Sequence, residues 1–203
     1  MRVLHYFDYK SPYAYLAQEE SLALAELPGV ELELVPYTLD IPDYLGRAEV
    51  GEDRSVLVDE RTPHQWRRVR YAYRDCRREA SRHGLVLRGP RRIFDSAVAH
   101  IGFLWARRAG DPLPYHREVY ARFWRRDLDL GDADAVAAVL AATGFDASGF
   151  PGFLVGEGRT QHDRLRAEAH EAGVFGVPSY LVEGELWFGT ERIPRVRERL
   201  QAT

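Results

Sequence analysis

Apolar and polar positions follow three rhythms along the chain. Val3 to Phe7 is a short apolar, β-favouring run, which predicts a buried strand. Ser11-Pro12 then opens a helix, with Ser at the N-cap and Pro at the first helical position. The helix runs through Leu16, Ala17, Leu22, Leu24 and Leu27, and Pro28-Gly29 stops it. Val30 to Val35 alternates with period two and predicts a second strand. A strand, a helix and a strand in this order imply a parallel pair with a right-handed crossover.

The middle of the chain changes rhythm. From about Tyr44 to His170 the pattern is helical, and no strand is expected there. Helices are predicted over His64 to Gly84, Phe94 to Arg108, Tyr115 to Arg126, Ala133 to Thr143 (with Asp132 as cap) and Arg159 to Ala172. After Gly173 the β rhythm returns. Pro178 to Val182, a Glu183-Gly184 turn and Glu185 to Phe188 predict a hairpin, and a last helix runs from about Thr190 to Leu200. An isolated hairpin is marginal, so it needs a sheet to join. Uniting the two ends gives βαβ followed by ββα, an α/β thioredoxin-like domain. The expected division is residues 1–37 and 174–203 for that domain and 38–173 for an inserted all-helical domain.

Composition narrows the chemistry. The chain has 203 residues, enough to bury a core without staples, and its net charge of -3 argues against a general nucleic-acid partner. No run of 18 apolar residues is present, so no membrane-spanning helix is expected. Met1 to Asp8 reads as a strand, without the apolar core and cleavage site of a signal peptide, and a cytoplasmic location is expected. A single cysteine, Cys76, can form neither an intramolecular disulfide nor a C-x-x-C motif. The seven histidines are dispersed, with no spacing that suggests a metal site.

Three segments carry candidate chemistry. Ser11-Pro12-Tyr13-Ala14 lies where a strand turns into a helix. In a dithiol oxidoreductase of this fold the thiols would fall on Ser11 and Ala14, so disulfide exchange is excluded there. The free amides and dipole of the helix start still favour an anion, and the Ser11 hydroxyl can donate to one, for example a ligand's thiolate. Equally, Ser11 can be only a cap. Gly173 to Tyr180 leads into the hairpin through Val177-Pro178. A cis proline there would expose the Val177 backbone to an extended ligand, whereas a trans proline would simply open the strand. Thr190 and Glu191 start the last helix and offer a hydroxyl and a carboxylate to an ammonium group, or else serve as cap and first-turn acid.

Together, "YFDYKSPYAYLA" and "GVFGVPSYLVEGELWFGTERI" resemble the 2-hydroxychromene-2-carboxylate isomerases and kappa-class glutathione transferases of the DsbA-like thioredoxin superfamily. The resemblance spans nearly the whole chain and includes "YAYRDCRREASRHGL" and "YHREVYARFW". It implies bound glutathione, with Ser11 stabilising the thiolate and Val177, before Pro178, pairing with the cysteinyl backbone. It implies that Thr190-Glu191-Arg192 holds the γ-glutamyl end, with Glu where Asp is usual. It also implies a basic residue near the glycyl carboxylate at Arg68, with Arg67 adjoining. The family's Asn-Pro-rich loop is not recognisable between Ala48 and Pro63, and Asp95 of Phe94-Asp95-Ser96 stands where the family carries an amide.

The remaining features are weighed on the same footing. Arg61 to Arg92 holds eleven arginines in 32 residues, either a solvated face with acids such as Asp75 and Glu79 or a positive lining for an anionic ligand. Cys76 within it is expected to be half-buried and inert. Tyr9 and Tyr13 flank Ser11 and are candidates, with Asp95, for a pocket taking an aromatic substrate. The expected function is a glutathione-dependent isomerase of an aromatic or unsaturated acid. A kappa-type transferase and a non-catalytic peptide-binding module are the alternatives. The partners expected are a small aromatic or anionic substrate, no nucleic acid and no membrane, with a homodimer allowed.

Overall fold

The computed structural model describes residues 1–51, 53 and 55–202. Strand β1 (Arg2–Phe7) is the second of four in the main sheet, whose order is β2-β1-β5-β6. Helix α1 (Pro12–Leu22) and a 3₁₀ turn (Ala23–Glu26) carry the chain to β2 (Glu31–Pro36), which pairs parallel to β1 from Arg2↔Glu31 to Phe7↔Pro36. On its other edge β1 pairs antiparallel with β5 (Ser179–Val182), from Val3↔Val182 to Tyr6↔Ser179. The Glu183-Gly184 turn then leads into β6 (Glu185–Phe188), which pairs with β5. Glu183 and Gly184 both have positive φ, 49° and 84°, as the tight turn of this hairpin requires. A 3₁₀ turn (Thr190–Arg192) precedes the last helix (Ile193–Gln201).

The segment between β2 and β5 holds α2 (Ile41–Leu45), β3 (Ala48–Val50), β4 (Val56–Asp59), α3 (Pro63–Arg82), α4 (Ala97–Ala109), α5 (Leu113–Arg125), α6 (Ala133–Ala142), α7 (Phe150–Val155) and α8 (Glu157–Glu171). The last helix is therefore α9. The strand-free middle expected from sequence is corrected here: β3 and β4 form a small antiparallel sheet of their own. They are three and four residues long and partly exposed, so they show too little apolar alternation to be read as strands.

Two buried clusters hold the molecule together. The smaller packs Val3, Tyr180 and Val182 of the sheet against Ala17 and Leu24 on one helical segment and Ile193, Val196 and Leu200 of α9. The larger runs from the ends of β1 and β2 into the helical segment. Phe7 meets Phe103, His116 and Tyr9 edge-on, with ring centroids 4.5–5.2 Å apart. Trp124 of α5, fully buried, stacks on Tyr15 of α1 at 5.8 Å and so fixes the helix that starts at Ser11 against the helical segment. Gly102 lets α4 pack tightly: a Cβ there would meet the Tyr115 hydroxyl at 2.2 Å and Val136 Cγ1 at 2.8 Å. No helix among the described residues is long and apolar enough to cross a membrane.

Candidate active site

The site is built where β1 turns into α1. Ser11 is extended (φ -87°, ψ 116°), and its Oγ accepts the Ala14 N–H at 3.3 Å, with Pro12 at the first helical position. This is the capping role. The same hydroxyl donates to the Val177 carbonyl oxygen at 3.4 Å, long for an O–H···O bond. The proton of Ser11 is therefore weakly held, within a site only 4% exposed. The Val177-Pro178 peptide is cis, the first of the two readings the turn allows. The Pro178 carbonyl accepts the Gly189 N–H at 2.9 Å, which brings the Thr190–Arg192 turn beside this loop. That turn also packs on α1.

Thr190 caps neither element: Arg192 holds the cap position of the last helix and Gly189 that of the turn. Its Oγ1 is buried and has no hydrogen-bond partner. A buried hydroxyl without a partner costs free energy unless something else completes it. Glu191 is exposed, and its carboxylate lies against Gly189, whose φ of 104° favours glycine. Ser11, Val177, Pro178, Thr190 and Glu191 thus come from the two ends of the chain to one junction. Tyr13, Phe175 and Phe188 expose rings near it, at 39%, 66% and 42%.

Tyr13 reaches α3, where its hydroxyl interacts with the Cys76 thiol. Burial and then the Cys76 contact push the Tyr13 hydroxyl up to about 12. Cys76 is wholly buried rather than half-buried, and burial holds its thiol up at about 11, so it stays protonated at neutral pH. Arg67 and Arg68 are both exposed on α3. At ~100° per residue, Arg68 stands ~80° around the helix from Cys76 and Arg67 ~180°. Only Arg68 flanks the face that meets Tyr13.

Of the other expected pocket residues, Tyr9 lies in the core and Asp95 at the start of α4. Tyr9 is fully buried, its hydroxyl 3.2 Å from His116 Nδ1 and its ring against Phe7 and Tyr120, so it is a core residue and lines no pocket. It sits in the turn just after β1, and the residues of that turn are all buried. Asp95 is exposed, and its Oδ1 accepts the Ala97 N–H at 2.9 Å, which commits one carboxylate oxygen to the start of α4.

Beneath Ser11 lies a polar network that sequence reasoning missed. Asp8 is fully buried; its carboxylate accepts the backbone N–H of Lys10 at 3.1 Å and of Leu39 at 2.8 Å. Lys10 Nζ is 3.5 Å away and His100 Nε2 3.4 Å away. Burial pushes the Asp8 carboxyl upward, but Lys10, His100 and the Leu39 N–H outweigh it and hold the group well below the ordinary range. Thr38 Oγ1 links His100 Nδ1 (2.8 Å) to His162 Nε2 (2.9 Å); with one proton, it donates to one ring and accepts from the other. The Asp8 main-chain carbonyl accepts the Ser11 N–H at 3.0 Å, so this network sets the turn that presents Ser11. The one available signal was the only lysine of the chain, directly before Ser11.

Comparisons with known proteins agree with this architecture. A model of the DSBA-like thioredoxin domain matches residues 2–201. A 2-hydroxychromene-2-carboxylate isomerase of Pseudomonas putida is 27% identical over 198 residues, 95% of this chain and 91% of that protein. One of Sphingobium xenophagum is 25% identical over 190 residues, 93% of this chain and 92% of that protein. The solved structure of a 2-hydroxychromene-2-carboxylate isomerase superposes with a TM-score of 0.74 at 24% identity, covering 100% of this chain and 95% of the other. The cytosolic disulfide reductase DsbM from Pseudomonas aeruginosa, solved with GSH, superposes at 0.58 with 18% identity, over 100% of this chain and 98% of its own. With its sheet order, its helical segment between β2 and β5 and a match over nearly its full length, the chain belongs to the DsbA-like thioredoxin family.

Proposed function

We propose that the protein is a glutathione-dependent isomerase acting on an aromatic or unsaturated acid, of the 2-hydroxychromene-2-carboxylate isomerase kind. The observation that carries this reading is the Ser11 hydroxyl at the start of α1, weakly engaged with the Val177 carbonyl 3.4 Å away. A serine there offers a donor to an anion but no thiol for disulfide exchange. The names of the curated relatives support the isomerase, and a fold relative solved with GSH supports the ligand.

The residues at the junction fit glutathione. The buried, partnerless Thr190 Oγ1 and the exposed Glu191 carboxylate suit the amino-acid end of a γ-glutamyl group. The Val177 backbone beside Pro178 suits a peptide strand, and Arg68 suits a carboxylate. Bound glutathione supplies a thiolate able to add to a conjugated carbon and leave again, which exchanges geometric isomers without net oxidation. Ser11 donates to that sulfur, and the α1 amides and dipole lower its pKa. Tyr13, Phe175 and Phe188 offer rings to the aromatic part of the substrate.

Titration calorimetry with glutathione, followed by isomerisation assays with and without it, tests the reading. Saturable binding and turnover only in its presence are expected. Absence of glutathione binding would overturn it, and accumulation of a covalent glutathione adduct would select a transferase.

A further inference from the structure

We propose that the corner of the helical segment formed by Tyr73, Arg77, Arg88, Gly89 and Arg126 is a second ligand site, separate from the Ser11 junction, which takes a phosphate-bearing small molecule. Tyr73 of α3 lies between Trp124 of α5, at 6.5 Å between ring centroids, and the backbone of Gly89. A Cβ on Gly89 would stand 3.2 Å from the Tyr73 ring, close enough that the ring would have to give way slightly. The Arg77 guanidinium stands over the same ring at 5.9 Å.

The loop is pinned to the end of α5. The Arg88 N–H donates to the Trp124 carbonyl at 2.8 Å and Arg88 Nη1 to the Arg125 carbonyl at 3.4 Å. Arg126 adopts a left-handed conformation, φ 70°, and its Nε–H donates to the Gly89 carbonyl at 2.8 Å. Arg77 and Arg126 thereby act on Tyr73, and Arg88 and Arg77 both act on Arg126. Elsewhere on α3, Arg78 and Arg82 face acids, Asp75 at 3.2 Å and Glu79 at 3.3 Å. Arg77, Arg88 and Arg126 pair with no carboxylate among the described residues. Arg61 also acts on the Tyr73 hydroxyl, but it has Asp59 beside it. Burial first, then Arg91, Arg88 and Arg77, hold the Arg126 guanidinium below its ordinary value.

The side chains of Tyr73, Arg77, Arg88 and Arg126 all bring donors to this corner. Among the described residues the Tyr73 hydroxyl has no hydrogen-bond partner, and the Arg77 guanidinium pairs with no polar group. Like charges held together repel, and a dianion relieves that repulsion while filling the donors. Guanidinium forks match phosphate oxygens in pairs. The junction at Ser11 is reached instead from Cys76, one turn along α3, through Tyr13.

The test is calorimetric titration of the full chain with pyrophosphate at constant ionic strength. We expect one saturable site, affinity reduced roughly tenfold or more in Arg77→Gln and in Arg88→Gln, and at least roughly tenfold weaker binding of acetate. Arg126→Lys, which keeps the charge, should retain most of the affinity. Glutathione titrations of the same variants should match the wild type, which separates failure of this proposal from failure of the Ser11 reading. No saturable pyrophosphate binding, unchanged affinity in Arg77→Gln with its fold intact by circular dichroism, acetate binding equal to pyrophosphate, or a parallel loss of glutathione affinity would each overturn it.

Discussion

Ser11 Oγ lies 3.4 Å from the carbonyl oxygen of Val177, a residue 166 positions away in the chain. This hydroxyl links the two halves of the candidate site, and it also accepts the Ala14 N–H. A hydroxyl has one proton to give. A ligand thiolate at the start of α1 would take it from a carbonyl that holds it only loosely, while the cap to Ala14 persists.

Replacing Ser11 by Ala separates those roles. Loss of the cap should cost ~0.5–2 kcal/mol, which leaves the fold intact. The thiol pKa of bound glutathione should rise, and turnover at neutral pH should fall ~10- to 1000-fold. Thiolate absorbance against pH, in wild type and variant, reads this directly. Superimposable titrations would reduce Ser11 to a cap.

The two adjacent arginines of α3 should differ. Arg68 flanks the face that meets Tyr13, whereas Arg67 points away, so Arg68→Ala should weaken glutathione by ~1.5–3 kcal/mol, roughly 10- to 100-fold. Arg67→Ala should leave affinity unchanged. Equal behaviour of the two variants in calorimetry would remove the assignment.

Acid lability should trace to buried imidazoles. His5 stacks on Tyr180 with both ring nitrogens unpartnered, and burial pushes it down to about 3. Burial and then His100 push His162 down to about 4. Both are neutral in the fold, whereas the unfolded chain takes up protons below its ordinary value of 6.5. Their contribution is thus complete above pH 6.5 and is lost as pH falls toward 4 and 3, at about 1 kcal/mol per pH unit for each. His5→Phe should flatten that slope and raise stability at pH 5, as read from urea midpoints. An unchanged slope would locate the lability elsewhere.

Asp8 and Lys10 should be coupled. Asp8→Asn leaves a buried ammonium without its counter-charge and should cost ~3–5 kcal/mol. Adding Lys10→Met should recover part of the loss, since the strandable charge is then gone. Strict additivity in a double-mutant cycle would show that the pair does not act as a unit.

What the sequence disclosed was whatever is local. The Ser11-Pro12 cap, the alternating strand at 30–35 and the turn at Glu183-Gly184 each arise from neighbours in the chain, and each was legible. The network of Asp8, Thr38, His100 and His162 was not, because its members lie on four separated segments and no spacing joins them. Tyr9 was misplaced for a related reason. Two residues before Ser11 in sequence, it sits in the turn after β1 and is packed into the core. The paired strands at 48–50 and 56–59 were hidden by their brevity.

The position of β1 has a consequence for how the protein comes into being. One edge of β1 is satisfied by β2, complete by residue 36; the other waits for β5, which starts at Ser179. During synthesis, the strand that leads into Ser11 must therefore keep an open edge through the emergence of the whole helical segment. Val177 cannot meet Ser11 until the whole helical segment has been made. A fragment cut anywhere between β2 and β5 lacks Val177, Thr190 and Glu191, and has no half-formed version of the junction to display.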